Sequence, residues 1–181
     1  LSDFVSTELA LNDYYFYQEI LSPSGGIHIQ LPLLLAEYRF DSKKDIENYL
    51  SLISLYDSYF REIADFEKTK AKKGLFMNDS LCVQVLKECE NFIDKPDENY
   101  LLSSFEKRIN NADFLSDNEK EKLILKNKAA VQKHVFPAYE NLMKTLTNLL
   151  GSGRNDGGLC FFKDGKLNKI ICFQSGPFVK S

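Results

Sequence analysis

One run of the chain has little freedom in how it can fold. Between residues 43 and 72 the apolar side chains Ile46, Tyr49, Leu50, Ile53, Tyr56, Phe60, Ile63 and Phe66 recur at intervals of three and four, the period that lines one face of an α-helix. Its start is acidic (Asp41, Asp45, Glu47) and its end basic (Lys68, Lys70, Lys72, Lys73), and both complement the helix dipole. Ser42-Lys43-Lys44-Asp45 reads as a variant capping box, with Asp where Glu or Gln is usual. Gly74 is the natural residue to end the run. The spacing therefore predicts one long amphipathic helix over about residues 43–72.

The same reading extends to either side. A helix is expected over residues 3–21, ending at Ser22-Pro23-Ser24-Gly25-Gly26. Pro32 argues against a central strand in the apolar run that follows. An extended lead-in and a short buried helix over Pro32 to Glu37 are expected instead, with Pro32 in its first turn. Asn78 or Asp79 caps a helix over about 80–94, and Asp94-Lys95-Pro96-Asp97 breaks it. A further helix covers about 98–110. Ser116 with Glu119 forms a capping box that opens a long helical stretch. Pro137 lacks a donor and pushes Phe136 from helical dihedrals, so a kink or break is expected at 135–137, then helix to about Leu150. After Gly151-Ser152-Gly153, Leu159–Phe162 and Leu167–Phe173 flank Asp164-Gly165, a favoured hairpin turn. The expected fold is mainly α, a bundle-like array with a small C-terminal β-hairpin. Residues 1–150 form the helical domain, and 151–181 a glycine-rich loop and hairpin tail that is no domain of its own.

A length of 181 residues suits one core. The net charge of -3 gives no sign of a nucleic-acid binder, which would usually show a basic face, and no apolar run is long enough for a helix to span a membrane. The chain starts at Leu1 without an initiator Met, as a trimmed piece would, so any upstream signal is out of view and its compartment is not assigned. Cys82 and Cys89 lie on one helix roughly 10 Å apart along its axis, too far for a disulfide. Cys160 and Cys172 flank the expected hairpin and could pair or simply pack; all four are expected to be reduced core or boundary residues.

Chemistry-bearing patterns are sparse. His28 and His134 are the only histidines, and neither has a ligand partner at helical spacing, whereas catalytic zinc needs three protein ligands and a carboxylate. His134 reads as a boundary residue and His28 as a loop or groove residue. The glycine-rich Gly151–Gly158 loop follows a helix rather than a strand, so it is not a P-loop. No GxSxG occurs. Glu37-Tyr38-Arg39-Phe40 mixes polar and aromatic residues after an apolar run, and could line a groove or simply pack. Tyr139, Arg154 and Asn155 share that reading. These five (Glu37, Tyr38, Tyr139, Arg154, Asn155) are the candidate groove residues, with a peptide as the candidate partner.

GGIHIQLPLLLAEYRF, DIENYLSLI, GLFMND, FPAYENL and GSGRNDGGL with the later Gly165-Lys166, taken in order and spacing, resemble a bacterial domain-of-unknown-function family related to the gluzincin-like zinc metallopeptidases. The likeness covers roughly Leu21 to Lys166. It implies a helical region that precedes the family's HEGYPGH metal motif and walls a substrate channel. That motif is not in this sequence, so no metal ligand or catalytic residue carries over, and zinc is expected only in full-length relatives. Past Lys166 the family pattern continues with a tyrosine pair opening a helix, while this chain reads LNKIICFQSGPFVKS. Natural truncation, a reading-frame change or a diverged short relative would each give that ending. The expected function is a non-catalytic section of a metallopeptidase-like protein. The alternative is a stand-alone helical module binding peptide or protein. An apolar face left uncovered could also support a homodimer.

Overall fold

The computed structural model describes residues 12–153. A 3-10 turn, Asn12–Tyr17, leads to α1 (Ile27–Ala36), α2 (Lys43–Ser54), α3 (Tyr56–Lys72), α4 (Asp79–Ile93), α5 (Tyr100–Asn110), α6 (Asp117–Ala130) and α7 (Phe136–Leu149). A second 3-10 turn, Pro96–Glu98, precedes α5, and a π-helical turn, Val131–Val135, joins α6 to α7. The fold is mainly α and bundle-like, with no strand among the described residues. The hairpin expected over 159–173, and with it Cys160 and Cys172, lies outside them.

The α3 and α7 helices form the most extensive contact. They run in the same direction: Phe60 packs on Tyr139 near their starts, with ring centroids 4.8 Å apart, and Gly153 abuts Met77 beyond their ends. The α4 helix runs the opposite way along α7, placing Cys82 beside the Leu146 carbonyl and Phe92 beside Tyr139. The α5 and α6 helices make an antiparallel pair. Asn127 reaches the Leu101 carbonyl at one end, and Lys120 the Asn110 carbonyl at the other. Tyr49, Tyr56, Phe60, Phe105 and Tyr139 are fully buried and form the aromatic centre of the core. Burying one such side chain contributes roughly 1.5–3 kcal/mol.

Local chemistry fixes the helix ends. Asn78 Oδ1 accepts the Leu81 N–H at 2.9 Å and caps α4. The Glu119 carboxylate accepts both the backbone N–H and the hydroxyl of Ser116, at 2.9 and 2.8 Å. In the Ser42 variant the Asp45 carboxylate accepts the Ser42 hydroxyl at 2.7 Å and the Asp41 N–H at 3.2 Å. The shorter Asp thus reaches the amide one residue before the cap. Gly74 adopts φ 70° and ends α3 as expected.

Four expectations are corrected. The long helix over 43–72 is two helices, because the chain turns at Leu55, where ψ falls to -7° and the N–H bonds back to Leu52. This turn lets α2 pack on α6 and the π turn while α3 follows α7. The described part of the helix expected over 3–21 is only a 3-10 turn and irregular chain. Its carbonyls serve tertiary partners: Ile20 accepts from the Ile27 N–H, and Gln18 from the Lys70 ammonium. The α1 helix begins at Ile27 rather than Pro32, since the Gly26 carbonyl already accepts the Ile29 and Gln30 N–H groups. His28 therefore sits on a helix and is buried, rather than in a loop. Finally, Phe136 keeps helical dihedrals (φ -61°, ψ -46°). The irregularity expected near Pro137 is taken up by the preceding π turn, in which the Phe136 N–H bonds the Val131 carbonyl.

Candidate functional site

A groove of about 460 Å³ opens beside the segment that follows α1, with Glu37, Tyr38, Phe40, Arg108, Asp113 and Phe114 among its lining. Arg108, on α5, organises it. Its guanidinium lies 4.5 Å from the Phe40 ring centroid and 5.5 Å from that of Tyr49, within cation–π range. Nε donates to the Ser104 carbonyl at 2.9 Å, and Nη1 to the carbonyls of Leu35 (3.1 Å) and Tyr38. One side chain thus satisfies the end of α1 and anchors the chain leaving it. Burial lowers the Arg108 pKa, opposed by Tyr49. Burial pushes the Tyr49 hydroxyl up to about 12, and Arg108 opposes that rise. The floor is therefore a locked aromatic–cation cluster. The rim carries both signs of charge, including the exposed Arg39–Asp41 pair at 3.4 Å.

The candidate residues divide. Glu37 and Tyr38 share this groove. Tyr139 does not line it; it is 0 % exposed and donates its hydroxyl proton to the His28 carbonyl inside the core. Pro32 has no N–H to bond that carbonyl, four residues back along α1, so Tyr139 supplies the missing donor. Arg154 and Asn155 lie outside the described residues. Arg108 was not singled out by its sequence. The one available signal was its place three residues after Phe105 on the apolar side of α5.

His28 is the other buried polar group near α1. Burial lowers its pKa, against the pull of Glu88. Its Nε2–H donates to Glu88 at 2.9 Å, and the other oxygen of Glu88 accepts the Ser24 N–H at 3.0 Å. This pair staples the 22–26 loop to α4. Cys82 and Cys89 are buried free thiols, as expected. Among the described residues no group of three or more His, Cys, Asp or Glu side chains is placed to hold a metal ion. No helix among them is long and apolar enough to cross a membrane.

The family model "Bacterial protein of unknown function (DUF885)" matches residues 1–166. The chain belongs to this DUF885 family. No curated protein matches the DUF885 chain. Its fold is similar to that in a crystal structure described as a "putative lipoprotein" from Colwellia psychrerythraea, with a TM-score of 0.79 and 19% identity. The match covers 86% of this chain and 27% of that one. The DUF885 chain thus spans about a quarter of the length of the protein it matches.

Proposed function

We propose that this chain is a non-catalytic helical section of a zinc-metallopeptidase-like protein and forms part of its substrate-channel wall. The observation that carries this reading is the fold match, in which nearly all of this helical array recurs as a minor part of a longer polypeptide. The surface is consistent with it. Leu34, Leu52, Leu55 and Tyr59 are 63, 44, 57 and 42 % exposed. Leu52, Leu55 and Tyr59 border an apolar groove of about 370 Å³ between α1 and the α2–α3 turn, the kind of surface that further protein covers. Self-association of the isolated chain through this face is the corresponding expectation, and a monomeric mass at high concentration would count against it.

The test is direct. The purified chain, supplied with zinc, is expected to hold no stoichiometric metal and to cleave no member of a peptide library. Tight zinc binding with chelator-sensitive turnover would overturn the non-catalytic part of the reading. The groove at Glu37 and Tyr38 favours a second reading, a stand-alone peptide-binding module. Under that reading, titrating diverse peptides moves the resonances of Tyr38 and Phe40, and a titration that leaves them unmoved removes its support.

A further inference from the structure

Away from that groove, α3 buries a carboxylate and an ammonium one turn apart. Glu67 and Lys70 are each 0 % exposed. Among the described residues neither Glu67 oxygen has a hydrogen-bond partner, an expensive arrangement for an ionised carboxylate. Lys70 Nζ instead donates outward, to Glu19 Oε2 at 2.7 Å and to the Gln18 carbonyl at 3.0 Å, and stays 3.9 Å from Glu67. Lys70 is therefore a polar grip on the segment that runs from the first 3-10 turn to Leu21. A second grip is aromatic: Tyr15 and Phe16 pack on Phe66, and Lys73 lies over Phe16.

We propose that Glu67, Lys70 and Glu19 form a proton-operated clamp on this segment. With Glu67 neutral, one buried ammonium faces one carboxylate, Glu19, and the set is balanced. When Glu67 loses its proton to solvent, two carboxylates compete for the single ammonium. Glu19, whose side chain is 47 % exposed, can be rehydrated, whereas Glu67 cannot. Lys70 then turns inward to Glu67, and the Gln18–Glu19 contacts loosen. Burial pushes the Glu67 carboxyl up to about 7, with Lys70 opposing and Glu19 adding to the rise, so the exchange falls near neutral pH. The other groups facing it do not substitute for Lys70. The α4 helix presents the Cys82 thiol, pushed up to about 11 chiefly by burial, with Asp79 and Glu67 adding. The α7 helix, packed along α3, buries the apolar Leu142 and Leu146.

The test is amide hydrogen exchange of residues 15–21 in the full chain from about pH 5.5 to 8.5, corrected for intrinsic exchange. Protection of this segment is expected to fall about tenfold more across that range than that of α7, which follows global stability. Glu67→Gln is expected to hold protection constant, and Lys70→Met to lose it at every pH. Protection in the wild type that does not vary with pH, or a Glu67→Gln variant that keeps the same pH dependence, overturns the clamp. Should Glu67→Gln not fold, the carboxyl carbon-13 shift of Glu67 decides: a midpoint near 7 supports the clamp, and one in the ordinary carboxylate range overturns it.

Discussion

Replacing Tyr139 by Phe removes one hydroxyl and leaves the ring packing on Phe60 and Phe92 in place. What is lost is the donor to the His28 carbonyl, which Pro32 leaves without its helical partner. An unsatisfied buried acceptor costs about 1–3 kcal/mol, so Tyr139→Phe is expected to destabilise the chain by about 2 kcal/mol. In a protein of this size that lowers Tm by about 4–8 °C. The sharper form of the prediction is a cycle with Pro32→Ala. An alanine at that position has an N–H that can bond the His28 carbonyl along α1, so in that background Tyr139→Phe should cost well under about 1 kcal/mol. Unfolding in urea for the wild type, both single variants and the double variant gives the coupling, expected at about 1–2 kcal/mol. Effects of Pro32 on the unfolded chain cancel in the cycle, because they enter both of its arms. Equal costs of Tyr139→Phe in the two backgrounds would refute the idea that the tyrosine stands in for the proline's missing donor.

Two further outcomes follow from the buried polar groups and the tight turn. Because the folded protein holds the Glu67 carboxyl near 7, above its ordinary 4.5, the folded state binds more protons than the unfolded between those values. Stability is then highest below about 4.5 and falls as pH rises through 7, by about 3 kcal/mol from this group. Urea unfolding at pH 5 and pH 8 should accordingly show Glu67→Gln gaining on the wild type at the higher pH, and parallel profiles would contradict this. Gly26→Ala should be destabilising by about 1–3 kcal/mol through overpacking, since a Cβ there would lie 2.6 Å from the Ser22 nitrogen and from His28 Nδ1; calorimetry showing an unchanged Tm would count against that crowding.

Much of the helical pattern was legible because it rests on local rules. Ser116 with Glu119, Asn78 and Gly74 mark helix ends through their own side chains or backbone freedom. The break at Leu55 was not legible. Neither Gly nor Pro marks it, and the buried residues Tyr49, Ile53, Tyr56 and Phe60 keep the helical period straight across it. Only the different partners of α2 and α3 require the bend, and those lie far along the chain. The start of α1 was missed for the opposite reason. Pro32 suits the first turn of a helix, but here it lies inside α1, where the distant Tyr139 hydroxyl offsets the donor it lacks. The groove at Glu37 and Tyr38 was half visible as a polar-aromatic string. Its organiser, Arg108, comes from α5, 70 residues beyond Tyr38, and its place three residues after Phe105 is too weak a mark to separate it from a solvated surface arginine.

The π turn at Val131–Val135 carries one more residue than an ordinary helical turn would need. That surplus rotates everything beyond it by roughly 100° about the common axis, so the two halves of a nearly continuous rod keep separate angular phases. Asn127 and Val131 can aim at one set of neighbours while Tyr139, Leu142 and Leu146 aim at another. Deleting a single residue there would leave both halves helical yet turn the second half's oily stripe away from α3 and α4. Kin of this chain that gain or lose one position at this point should therefore differ in how their last helix seats, even where the rest of the string reads alike.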